Sequence, residues 1–434
     1  MSAADMEPQV LVEASTALPL VTVTVAERTG AVDDPEGKEG LSRLAARLVR
    51  RTGDGLPTEE LDEKIDSLGA SLSVDVGQST CQFHGTVIGR SLERFSDLVV
   101  AVLSRPSLSG EELGKLKRET LADLVEAREN DRDLAQKWFR KTLFAGHLYG
   151  RSVSGTPASI ASISDADVRS HVAGTLAAKN LVFAFSGDVD ETTARALATR
   201  IAGALPPGEA RVDRVPEPAP LPKGRKLVLV DKPDRTQTQI YIGCLGTHPH
   251  DEDHVALHVG NTIFGGTFTA RLMKEVRSKR GWSYGAYSNL PYDRRRRGFS
   301  LWTFPKADDA APCIALELSL LEKWVEGGIT PRELAWAKRY LVRSHAFAVD
   351  TAAKRLAQRL DEVLYGLPPG YHSEYLERVQ AVTVEDVNAA IRKRITPEDL
   401  VITVLGTAKD VLVPIRTAIG HLTSEEIVPF DRDD

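Results

Sequence analysis

Cysteine is scarce: Cys81, Cys244 and Cys313 are the only three in 434 residues. They are too few and too scattered for a disulfide framework or a thiolate zinc centre, and read as small buried hydrophobes in a reducing compartment. No apolar run approaches the roughly 20 residues needed to cross a bilayer. The opening stretch MSAADMEPQVLVEAS carries acids and lacks the basic head and apolar core of a secretory signal. The expected location is therefore the cytoplasm, with a periplasmic one left open. A strong charge of either sign is missing too. The formal net charge of −6 gives no general pull toward nucleic acid or an anionic membrane, and neither is expected as a partner.

The chain is too long for one ordinary core, and two domains of about 200 residues are the natural expectation. An internal repeat supports this. Ser164, Asp167, Val168, Leu181 and Gly187 mark a helix start, its apolar face, a strand and the strand's end. Thr383, Asp386, Val387, Leu400 and Gly406 repeat the pattern 219 residues later. Each segment opens with Ser or Thr three residues before an acid, a helix-capping signal. Each closes in an apolar strand, LVFAFSG or LVITVLG. Ser109, Glu112 and Lys117 are echoed by Thr330, Glu333 and Lys338 at a spacing of 221. The chain reads as a duplication.

Between the copies, residues 207–226 are rich in Pro and charge and read as an extended linker. The expected domains are 1–206 and 227–434. Alternating strands mixed with amphipathic helices predict an α+β fold used twice, each copy a mixed or antiparallel sheet with helices packed on one face.

Two stretches carry the chemistry. In GKEGLSRLAARLVRRTG, residues 37–53, Leu41, Leu44, Leu48 and Val49 recur at helical spacing, while Arg43, Arg47 and Arg50 form another stripe. In residues 261–290, a Gly-Gly turn leads into a helix with Leu272 and Val276 on its apolar side. Lys279 and Arg280 suit its negative end and Gly281 its stop. SYGAYS then begins a strand.

Both stretches, with FAGHLYGRSVSGT after the first long helix, resemble the pitrilysin/insulinase family of zinc metallopeptidases, in the branch that includes mitochondrial processing peptidases. The resemblance spans nearly the whole chain and implies a metallopeptidase clamshell half. In active members the first stretch carries HxxEH: two histidines one turn apart bind zinc, and the glutamate activates its water. Here Arg43 and Arg47 fill the histidine slots and Ala46 the glutamate slot. The third ligand's slot, on a downstream helix, falls on Leu124, with Asp123 and Glu126 nearby. Two guanidinium groups would repel a dication by several kcal/mol even at an effective dielectric of about 20. No metal is expected in this chain.

The second stretch matches the family's Arg/Tyr signature, RL then EVR-x-K-RG-x-x-Y, at Arg277 and Tyr284. The resemblance implies that this pair acts in trans. The partner would be a homologous HxxEH subunit holding the zinc, in a heterodimer or larger assembly that hydrolyses unfolded peptides. Tyr287, one strand face away, is the weaker candidate. The alternative is an inactive peptide-binding or scaffold protein of the same fold. His254 and His258, four apart, could share a metal but lack an obvious third ligand. The run Arg294–Arg297 reads as a solvated hairpin tip.

Overall fold

A computed structural model describes residues 7–433. They form two compact units, neither continuous in sequence. The first comprises residues up to Leu124, Arg151–Arg214 and Ala346–Leu367. The second comprises Val125–Gly150, Val215–His345 and the chain from Pro368 onward.

The first unit holds β1 (Gln9–Ala14), β2 (Leu20–Glu27), β3 (Ser71–Val76), β4 (Cys81–Ile88) and β5 (Leu181–Gly187). They lie in the order β1-β5-β2-β4-β3, with β1 parallel to β5 and the other pairs antiparallel. Alternation drives the pairing. Val21, Val23 and Val25 of β2 and Phe83 and Val87 of β4 turn into a core with Phe95, Phe183 and Phe185.

The second unit holds β6 (Arg225–Asp231), β7 (Gln239–Leu245), β8 (Ala286–Asn289), β9 (Gly298–Thr303), β10 (Val401–Gly406) and β11 (Leu422–Pro429). Their order is β11-β6-β10-β7-β9-β8. Here β10 lies between parallel β6 and antiparallel β7, as β5 lies between parallel β1 and antiparallel β2. The core contains Ile240, Ile242, Phe299 and Leu301, with Phe264 stacked on Trp324 at 4.4 Å. The fold is α+β with two mixed sheets, as the sequence predicts.

The repeat reaches down to single hydrogen bonds. Ser164 with Asp167 and Thr383 with Asp386 both form reciprocal capping boxes. Lys117 Nζ donates to Ala161 O, and its counterpart Lys338 Nζ donates to Gln380 O, the carbonyl three residues ahead of each capping residue.

Besides its main helical layer, each sheet carries a helix on the opposite face. In the second unit this is Asp131–Leu143, whose Phe139 stacks on Tyr241 at 5.6 Å. The buried Lys232 ammonium fastens its start, donating to Arg128 O, Glu129 and Asp131. In the first unit it is Ala352–Tyr365, whose Leu356, Leu360 and Leu364 pack against Ala26, Val182 and Ala184. Among the described residues no helix is long and apolar enough to cross a membrane.

The run Arg294–Arg297 departs from expectation. Arg294 is buried, Arg296 makes a two-pronged pair with Asp251, and Arg297 lies over the Tyr149 ring at 4.7 Å. Aromatic and carboxylate partners supplied from elsewhere in the unit draw the charges inward, which local sequence does not reveal.

Candidate functional site

In the first unit Arg43, Ala46 and Arg47 lie on the helix Leu41–Arg51. Asp34 fixes the start of that helix, accepting from Gly40 N, Ser42 N and Ser42 Oγ at 2.6–2.8 Å. Burial raises the Asp34 carboxyl to about 6 even against those hydrogen bonds.

On the outer side of this helix Arg47 pairs with Asp123 at 3.6 Å and Glu119 at 3.7 Å, both on the helix Gly110–Glu126. Arg51 also pairs with Glu119. Arg43 is half-buried, and its guanidinium is lowered by burial and then by neighbouring Arg47. Ala46 is buried, and Leu124 packs against the cluster of Leu41, Leu44 and Leu48. Ion pairs and apolar contacts thus join the two helices. Among the described residues no group of three His, Cys, Asp or Glu side chains could hold a metal ion.

In the second unit the signature builds an exposed corner. Gly265 and Gly266 are needed for close packing, since a Cβ on Gly265 would lie 2.5 Å from Ser288 Oγ. Ser288 N donates to Gly265 O, and Ser288 Oγ to Asn261 Oδ1 at 2.6 Å. These bonds pin the turn to β8. The expected helix is a single α-turn, Arg271–Met273, that widens into a π-helical turn over Lys274–Ser278. Such bulges are enriched at functional sites. Gly281, at φ +69°, stops it as expected.

Arg277 sits within the π-turn with its guanidinium 4.5 Å above the Phe268 ring. It has no carboxylate partner among the described residues. Tyr284 occupies a bend ahead of β8 and is 82 % exposed, while Phe268 is 58 % exposed. The Tyr284 phenol is therefore open to solvent, and the half-buried Arg277 places its charge against the exposed Phe268 ring. Tyr287 lies within β8 and stacks on Trp302 at 6.3 Å, half-buried. Phe268, which carries the Arg277 guanidinium, is not signalled by any motif in the sequence. Its only trace there is a large apolar residue inside a glycine turn with no periodic partner.

The histidine pair does not resemble a ligand set. His254 is buried, with Nδ1 bonded to Thr247 Oγ1 at 2.9 Å and Nε2 to Tyr371 Oη at 2.8 Å. Burial lowers it to about 3 and also lowers His258. Both His254 nitrogens are occupied by hydroxyls, so a metal would have to displace one.

Residues 162–341 match the family model described as "Peptidase M16 inactive domain". The chain is 25 % identical over 408 residues to a protein of Helicobacter pylori named "Non-peptidase homolog YmxG", covering 92 % of each. It is 23 % identical to "Mitochondrial-processing peptidase subunit beta" of Blastocladiella emersonii, covering 92 % of this chain and 86 % of that one. A crystal structure of a peptidase M16 inactive domain from Pseudomonas fluorescens superposes with a TM-score of 0.85 at 27 % identity, covering 92 % of this chain and 96 % of that one.

Proposed function

We propose that this chain, whose residues 162–341 match the M16 inactive-domain model, belongs to that family and completes the active site of a homologous HxxEH subunit. In this reading Arg277 and Tyr284 act in trans on an unfolded peptide. The observation that carries it is the contrast between the two corners. The motif slots of the first unit are filled by Arg43, Ala46, Arg47 and Leu124. The second unit carries a guanidinium with no carboxylate partner among the described residues and a largely exposed phenol in one signature.

Zinc in the partner would supply the activated water, as it does in HxxEH enzymes. This chain's residues would do the rest. The Arg277 guanidinium would hold a substrate carbonyl in fixed geometry. The Tyr284 hydroxyl would donate to the oxygen on which negative charge develops, a contact worth roughly 3–4 kcal/mol in comparable sites.

The test is reconstitution with an HxxEH homologue. The mixture should hydrolyse peptides in a zinc-dependent way, and Tyr284→Phe should lower kcat by about 10²–10³ with little change in KM. Unaltered turnover in that variant would end the catalytic assignment. The word "non-peptidase" in the Helicobacter relative's name favours a second reading, a peptide-binding or scaffold subunit. That reading predicts stable assembly with a partner and no hydrolysis.

A further inference from the structure

Along β9, Phe299, Leu301 and Thr303 are buried while Trp302 on the other face is half-exposed. Register pairing sets Tyr241 of β7, Trp302 of β9 and Tyr287 of β8 side by side on that face. Their rings stack at 6.4 and 6.3 Å, and Phe304 adds a fourth ring 4.9 Å from Trp302. The helix Asp131–Leu143 covers the Tyr241 end through Phe139 and lays Arg132 across Trp302, leaving Tyr287, Trp302 and Phe304 half-exposed. An outward strand face normally carries polar residues. Aromatic rings left in contact with water there mark a binding surface.

Two further observations define what would bind. The Arg132 guanidinium lies 3.8 Å over the Trp302 ring and, like Arg277 over Phe268, has no carboxylate partner among the described residues. Arg132 also hydrogen-bonds the Tyr241 hydroxyl, which uses only part of its five-donor fork. The surface thus offers rings together with a guanidinium that no acid neutralises among the described residues, which suits an apolar side chain flanked by backbone carbonyls. The platform is also continuous with the Tyr284 corner. A Cβ on Gly285 would come within 2.8 Å of the Tyr287 ring and 3.0 Å of the Phe304 ring. The backbone that presents Tyr284 therefore rests directly on these aromatics.

We propose that Tyr287, Trp302 and Phe304, with Arg132, form a subsite that selects an aromatic side chain of an extended peptide held at Arg277 and Tyr284. The occupant is an unfolded peptide, and the inference rests on the peptide-gripping reading of that corner. The side chain stacks on Tyr287 and Phe304 beside the Arg132-capped Trp302, and the Arg132 guanidinium donates to a neighbouring peptide carbonyl.

The test uses the full chain and two fluorescein-labelled unstructured peptides, one with a single Phe in a Gly/Ser background and its Phe→Ala twin. Fluorescence anisotropy should show the Phe peptide bound about tenfold more tightly. Trp302→Leu and Tyr287→Ser, each checked for an unchanged thermal melt, should bring that ratio close to one. Equal affinities in the parent chain, or a ratio preserved in both folded variants, would overturn the subsite. Arg277→Ala should weaken both peptides and keep the ratio, which separates the two ideas. If Tyr284→Phe abolishes turnover while the Trp302 and Tyr287 variants keep the ratio, only the subsite fails. If no mixture hydrolyses peptide but the ratio follows Trp302, the subsite stands and catalysis in trans fails.

Discussion

Arg47 stands 3.6 Å from Asp123, a guanidinium and a carboxylate linking the helices Leu41–Arg51 and Gly110–Glu126. Glu119, shared with Arg51, completes the network. In the proposed reading this charge pair stands where an HxxEH subunit holds its dication, and it joins the helices across their polar edge.

That replacement makes a stepwise prediction about zinc. The native chain should contain far less than one zinc per molecule by elemental analysis. The variant Arg43→His, Ala46→Glu, Arg47→His restores two ligands and the base, yet Leu124 leaves the third position apolar. It should bind zinc weakly enough to lose it on dialysis. Adding Leu124→Glu supplies three protein ligands and should retain the metal. Firm retention by the first variant would show that Asp123 or Glu119, released from Arg47, serves as the third ligand.

Exposure makes a second prediction, about stability. Tyr284 is 82 % exposed, and the Arg277 guanidinium lies over the exposed Phe268 ring with no acid against it among the described residues. Tyr284→Phe and Arg277→Ala should each change unfolding free energy by less than about 0.5 kcal/mol in urea melts. A loss several times larger would mean that these side chains brace the fold, and any fall in activity would then have a structural origin.

What could be read in advance followed from local chemistry. The capping residues Ser164 and Thr383 signal their helices because a hydroxyl three residues before an acid satisfies backbone donors there. The paired sheets followed from the repeat, and the Gly281 stop from its place after a basic turn. Long-range choices were not legible. Nothing near residues 131–143 or 352–365 indicates that each helix covers the sheet of the other sequence half. That depends on contacts such as Phe139 with Tyr241 and Leu360 with Val182, which are set by the tertiary fold. The Arg294–Arg297 run misled for the same reason, because Asp251 and Tyr149 are distant in sequence. The π-turn at Arg277 has no composition signal either, since KEVRS is an ordinary helical pentapeptide.

His254 makes a third prediction. Its two ring nitrogens face Thr247 and Tyr371 hydroxyls in a buried setting, so the neutral ring is the one that fits. Tyr371→Phe would leave Nε2 buried without a partner, at a cost of about 1–3 kcal/mol. The folded ring protonates only near 3, far below an unfolded histidine at 6.5. The stability it contributes is therefore complete above about 6.5 and falls as pH drops toward 3. His254→Gln should flatten that acid limb, measured as unfolding free energy from pH 7 to 4. An acid limb identical to the parent's would mean that the ring is not held neutral.

Glu317 makes the opposite prediction, at high pH. It lies on the helix Ala307–Gly327 with no measurable exposure, and neither carboxyl oxygen has a hydrogen bond of ordinary geometry. Its surroundings include Cys313 and Thr303, and Cys313 Sγ is 4.0 Å from Thr303 Oγ1. Burial raises the acid from 4.5 to about 8, with the Thr303 hydroxyl pulling weakly the other way. The folded protein thus holds this proton more tightly than the unfolded chain does. Stability from Glu317 is complete below about 4.5 and declines as pH rises toward 8, by up to about 1.4 kcal/mol per pH unit. Above about 8 both states are ionised and the loss levels off. Glu317→Gln keeps the shape without the titration, so its advantage over the parent should grow through that window. Because Glu27, raised by burial to about 7, adds its own slope in both proteins, the difference between parent and variant isolates Glu317. Urea melts at pH 5, 6.5 and 8 would check this, and a difference that stays constant with pH would show that the carboxyl is already ionised in the core.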